Sequence, residues 1–144
     1  MTYRPLGARV VAYVSAGSLL VLLVAIAVAL PPAVRADFTV AQNLTLALFL
    51  GSMLAVLFGI ARTRVRTDEH GIHVLNGYRH HELDWAEAVQ VNLGRGAPWA
   101  VLDTSDGRVV QLMAIQRSDG ARAVSAVRAL RAELVAHAPS DPEL

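Results

Sequence analysis

Hydrophobic and polar positions follow two different patterns along this chain, and the change falls near Arg62. Before it, apolar residues run almost unbroken. No charged side chain lies between Arg9 and Arg35, and Val10–Leu30 is rich in Val, Leu and Ala. A second uncharged run lies between Asp37 and Arg62, with Gln42 and Asn43 near its start. About 20 apolar residues rising ~1.5 Å each cross a hydrocarbon core ~30 Å thick. The pattern therefore predicts two transmembrane helices, spanning about 10–30 and 38–61. Pro31 and Pro32 break the chain between them. So short a link predicts an antiparallel helical hairpin, because unpaired backbone in lipid costs several kcal/mol per group.

After Arg62 the runs shorten and alternate. Thr63–Thr67 reads as a strand, followed by the polar turn Asp68-Glu69-His70-Gly71. Ile72–Leu75 and Tyr78–Leu83 read as a hairpin across Asn76-Gly77, a strong two-residue turn signal. Ala88–Leu93, Trp99–Thr104 and Arg108–Ile115 supply three more strands, the last two joined across Ser105-Asp106-Gly107. Then the period changes. Ser118 or Asp119 can cap a helix, and Val124, Val127, Leu130 and Leu134 recur at helical spacing. One apolar stripe predicts one buried face, laid against an open sheet or barrel. Pro139 and Pro142 predict a disordered tail over 137–144. The expected class is α+β: a two-helix anchor over 1–61, then a soluble antiparallel β-barrel or sandwich with one C-terminal helix over 62–136.

Composition sharpens this division. The chain is 54% hydrophobic, high for a globular protein, and the excess lies almost wholly before Arg62. There is no cysteine, which excludes disulfides, thiolate metal sites and cysteine nucleophiles. Every basic residue is arginine, a usage that suggests a GC-rich coding genome such as that of an actinobacterium. From Arg62 onward ten Arg face eleven Asp and Glu. A nucleic-acid-binding domain shows a basic excess, so no nucleic-acid partner is expected.

Arginine placement gives the orientation. Arg4 and Arg9 precede the first span, and Arg62, Arg64 and Arg66 follow the second. The connecting loop holds Arg35, offset by Asp37. The positive-inside rule places both termini and the soluble domain in the cytoplasm of a multi-pass cell-membrane protein. A cleaved signal peptide ending near Val34-Arg35-Ala36 is a competing reading, and it leaves the soluble domain on the same side. No Asp, Glu, Lys, Arg or His lies inside either span, which argues against transport.

At the residue level a resemblance emerges. Asp68-Glu69-His70-Gly71-Ile72, Leu83-Asp84-Trp85-Ala86-Glu87-Ala88, Pro98-Trp99-Ala100-Val101, Asp106-Gly107-Arg108 and the final helix resemble the small bacterial pleckstrin-homology (PH) domains of actinobacterial membrane proteins. That family is named after low molecular weight protein antigen 6, and it also carries two N-terminal spans. The resemblance implies a PH-like fold. It implies no assigned activity.

Candidate chemistry is sparse. Arg62, Arg64 and Arg66 are a tentative lipid-binding set, each gaining about 1 kcal/mol beside an anionic leaflet. Many eukaryotic PH domains hold phosphoinositides with basic residues in the loop after the first strand. The matching loop here, Asp68–Gly71, is acidic and repels phosphate. His73 and His80 are expected to pair across the Asn76-Gly77 hairpin, within reach of one metal ion or as a pH-sensing pair. Trp85 and Trp99 read as core or rim residues, and Gly94-Arg95-Gly96 as a turn. No catalytic constellation is visible, so no enzyme activity and no cofactor are expected. The expectation is a membrane-anchored PH-like binding or scaffolding module with a protein partner, or with itself as partner. Anionic-lipid recognition, or a structural role of the hairpin in an envelope complex, are the alternatives.

Overall fold

The computed structural model describes residues 1–138; the proposed tail beyond Ala138 lies outside them. Two compact units are present. One is Ala8–Ala61, and the other joins Met1–Gly7 to the chain from Arg62 onward.

The helical unit holds most of α1 (Leu6–Ala29), the short α2 (Pro32–Ala36) and α3 (Val40–Arg62). Pro32 opens α2, a position where its missing N–H costs nothing. Large apolar side chains such as Val11, Val21, Leu22, Leu48 and Phe49 point outward with more than half their surface exposed. In water that exposure is unfavourable over the whole length of both helices. α1 and α3 are long and apolar enough to cross a bilayer, with mean hydropathy 2.5 and 2.3.

The other unit is a β-sandwich capped by a helix. One sheet has the order β1 (Thr2–Tyr3), β2 (Arg64–Thr67), β3 (Gly71–Asn76), β4 (Arg79–Asp84). The second has β5 (Ala88–Asn92), β6 (Trp99–Thr104) and β7 (Val109–Gln116) in that order. All pairings are antiparallel. The described residues form two sheets rather than a closed barrel. α4 (Ala121–His137) packs on β5 and β7.

The core follows from alternation. Ile72, Val74 and Leu83 come from the first sheet, Val91, Leu102 and Leu112 from the second, and Val127, Leu130 and Leu134 from α4. Each buried side chain of this size contributes about 1.5–3 kcal/mol. Val124, expected on the buried stripe, is 53% exposed; Ala123 takes its place. The helix therefore buries its small side toward the sheets at that turn.

Two glycines are dictated by geometry. Gly77 has φ +61 and is the first central residue of the β3–β4 turn, the position that a II′ turn reserves for glycine. A Cβ at Gly71 would sit 2.1 Å from the Leu83 carbonyl oxygen, so β3 and β4 can close only with glycine there.

Two further expectations are corrected. The hydropathy pattern puts the chain start in the anchor, but Thr2 and Tyr3 pair with Arg66 and Val65. Asp119 does not cap α4; Gly120 stands at that N-cap without a side-chain bond. Instead the Asp119 carboxylate accepts the Leu6 and Gly7 backbone N–H groups at 3.1 and 3.0 Å. It thus satisfies two of the orphan donors at the start of α1.

Candidate ligand-binding face

The outer face of the first sheet carries most of the polar chemistry. Alternate residues of a strand share a face, and the register aligns them in two rows. Arg64 lies opposite Leu75, and Leu75 opposite His80. Arg66 lies opposite His73, and His73 opposite Glu82. Together with Asp68 these rows line a groove of about 250 Å³.

The register corrects the expected histidine pair. The turn is Gly77-Tyr78, flanked by Asn76 and Arg79. No non-glycine residue has positive φ among the described residues, so Asn76 cannot be a central residue of a I′ turn. The ladder shifts by two, and His73 meets Glu82 instead of His80. His73 and His80 remain diagonal neighbours on one face. No group of three or more His, Asp or Glu side chains arranged for a metal ion occurs among the described residues.

Asp68 organises one end of the groove. It accepts the His70 backbone N–H at 3.1 Å and faces His73 Nε2 at 3.0 Å, with Arg66 Nε at 3.9 Å. The His70 N–H first, and then His73, hold its carboxyl below the usual carboxylate range. On the other side of His73, Nδ1 lies 3.8 Å from Glu82. Arg66, Asp68, His73 and Glu82 therefore form one connected polar network.

The three juxtamembrane arginines lie in different surroundings. The Arg62 guanidinium lies over the Tyr78 ring at 5.4 Å, a cation–π contact. Arg66 leans toward Asp68. Arg64 is exposed and has no hydrogen-bond or ion-pair partner among the described residues, and the same holds for His80.

The sheet edges differ in a way the sequence did not announce. At β5, the Arg131 Nε–H donates to the Val91 carbonyl at 2.7 Å, and its terminal nitrogen donates to Asn92 Oδ1. At β7, Asn76 donates to the Gln111 carbonyl and accepts the Met113 N–H. Both edges of the second sheet are plugged by side chains from elsewhere. β1 is two residues long, with Tyr3 donating to Glu133 on α4 at 2.9 Å; burial, reinforced by this bond, raises the Tyr3 hydroxyl's pKa. β4 is different. A two-residue turn makes Asn76 and Arg79 a hydrogen-bonded pair, and pairs then alternate. His80 and Glu82 consequently turn their backbone N–H and C=O away from β3.

Away from this face, Trp85 is a structural rivet. Its Nε1–H donates to the Asp68 carbonyl at 3.0 Å, and its ring stacks on His137 at 4.2 Å and 8°. Gly94–Gly96 is a loop, held by Arg117 through the Leu93, Gly94 and Ala97 carbonyls. Asp84 and Glu87 form a local cap, the Asp84 N–H meeting the Glu87 carboxylate at 3.1 Å.

A sandwich of four and three strands with one capping helix and a polar outer face defines a PH-type binding domain. A family model described as a bacterial PH domain matches residues 62–133, and the chain belongs to that family. The resemblance read from the Asp68–Ile72 and Leu83–Ala88 stretches is thereby borne out. The chain is also similar to uncharacterised proteins of Mycobacterium bovis and Mycobacterium tuberculosis, each 33% identical over 94 residues. These alignments cover 62% of this chain and 61% of each mycobacterial protein, so the chain spans less than two thirds of those relatives. No solved structure matches it.

Proposed function

We propose that this chain is a membrane-anchored PH-type binding module that takes an extended protein segment along β4. α1 and α3 supply the anchor, and the positive-inside bias puts the domain in the cytoplasm. The observation that carries the reading is the contrast among strand edges. β5 and β7 are plugged by Arg131 and Asn76, whereas His80 and Glu82 leave a row of backbone groups open on β4. An added strand gains main-chain hydrogen bonds from such an edge, and side-chain pockets then select it. The charged residues Arg79, Glu82 and Asp84 discourage indiscriminate pairing.

Proline tests this directly. The His80 N–H points away from β3, so His80→Pro removes an outward donor and spares the ladder. A photo-crosslinking residue placed at Tyr78 in the full chain should yield one defined adduct in native membranes. His80→Pro should reduce that adduct at least ~10-fold, the scale of one or two lost hydrogen bonds. An adduct with a second copy of the chain would identify self-pairing. Equal adducts with and without the proline would refute the β4 edge as the docking site.

A further inference from the structure

The outer groove carries charge of both signs in a fixed order, and this order restricts what can bind. Arg64 and His80 flank the buried side chain of Leu75. With strands ~4.8 Å apart, their Cα atoms lie about 10 Å from one another across the sheet. Two donors at that separation can grip one tetrahedral anion from opposite sides. Neither has a partner within the described residues, whereas Arg66 and His73 are already drawn to Asp68. The first row therefore offers one arginine and one imidazole N–H without a partner among the described residues.

The second row ends in negative charge. Glu82 lies two residues along β4 from His80, about 7 Å further on the same face. Its side chain is 77% exposed, and the His73 ring nitrogen lies 3.8 Å away. A polyanion seated at Arg64 and His80 would meet Glu82 and Asp68. A simple cation at Glu82 would meet Arg64 and Arg66. Only a ligand with both signs, spaced by one row, is favoured at both ends.

We propose that this groove binds a phosphodiester that carries an adjacent primary ammonium, the phosphoethanolamine type of headgroup. The phosphate sits between Arg64 and His80, and the ammonium donates to Glu82. A primary ammonium has three donors for a carboxylate. A quaternary ammonium has none and relies on an aromatic cage, and no Trp, Tyr or Phe among the described residues lines the groove. The source follows from the chain. Arg64 stands two residues beyond the last residue of α3, within about 7 Å of extended backbone. This site uses side chains on the sheet face and does not depend on strand addition at the β4 edge.

The test is lipid retention by the full chain in detergent, read by native mass spectrometry after equilibration with one phospholipid at a time. Phosphatidylethanolamine should be retained at least ~10-fold better than phosphatidylcholine. Arg64→Ala and Glu82→Gln should each remove that preference, while Arg95→Ala in the distant 94–96 loop should leave it intact. All three side chains are exposed, and unchanged thermal unfolding would confirm an intact fold. Soluble glycerophosphoethanolamine, added to the chain in phosphatidylcholine nanodiscs, distinguishes a free phosphoammonium ligand from a lipid. Saturable binding there, with no lipid preference, assigns the same groove to a soluble source. Equal retention of the two lipids without such soluble binding, stronger retention of phosphatidylglycerol, or a preference that survives both substitutions overturns the proposal.

Discussion

At the residue scale, two aspartates each organise a turn. Asp68 holds the β2–β3 turn through the His70 N–H and reaches His73 in the groove. Asp106 holds the β6–β7 turn, accepting from the Thr104 hydroxyl and pairing with Arg108. The Thr104 hydroxyl and the Arg108 side chain lower the Asp106 pKa from 3.8 to about 2. The folded value lies below the unfolded one, so the carboxylate adds stability above about pH 4 and loses it as the pH falls toward 2. Asp106→Asn should therefore melt below the unsubstituted chain at neutral pH. The gap in melting temperature should narrow steadily between about pH 4 and 2. A gap independent of pH would show that the ionised carboxylate is not what holds the turn. The histidine pairing shows where residue-level reading stops. Asn76-Gly77 correctly marked a hairpin, but which two residues occupy the turn depends on backbone handedness. With Gly77 the one residue of this turn at positive φ, the register lies two residues from the expected one and puts Glu82 opposite His73.

At the element scale, the N-terminal strand is the least expected part of the fold. Two residues of β1 complete the first sheet, and Asp119 receives the first N–H groups of α1. A two-residue strand has no detectable period, and Asp119 sits where a local helix cap is the natural reading. Only tertiary contact could redirect it over a separation of more than one hundred residues. The physical requirement is nonetheless general: an α-helix leaves four N–H groups unpaired, and a carboxylate there is favoured by the helix dipole. Asp119→Ala should cost about 0.5–2 kcal/mol, the range for losing a cap. Hydrogen exchange at Thr67, whose N–H donates to the Met1 carbonyl at 2.8 Å, should accelerate correspondingly. Unchanged protection there would mean that β1 is held without this clasp. The α4 stripe was readable in advance at Val127, Leu130 and Leu134 because helical spacing alone determines which positions share a side. Val124 was not, since the sheet surface determines how wide the buried stripe is.

At the scale of the whole molecule, the β unit includes chain on both sides of the helical unit. Met1–Gly7 and the chain from Arg62 belong together, so α1 begins and α3 ends at one compact body. If the two helices cross a bilayer, an even number of crossings is required for that body to form. The same side is indicated independently by Arg4, Arg9, Arg62, Arg64 and Arg66. Because the chain has no cysteine, single cysteines make clean probes. Cysteine at Arg95 should be labelled from the cytoplasmic side by an impermeant maleimide, and cysteine at Ala36 from the opposite side. Labelling of both from one side would refute the hairpin topology.

The sequence by itself determined the two apolar helices, the strand-rich second half, the C-terminal helix and the family. Each of these rests on periodicity or composition, which act over a few neighbouring residues. Tertiary structure alone decided the β3–β4 register, the clasp from Asp119, the plugging of β5 and β7, and the separation of Arg62, Arg64 and Arg66 into three different environments. Those features depend on distant groups meeting in space, and a local pattern carries no record of which partner arrives.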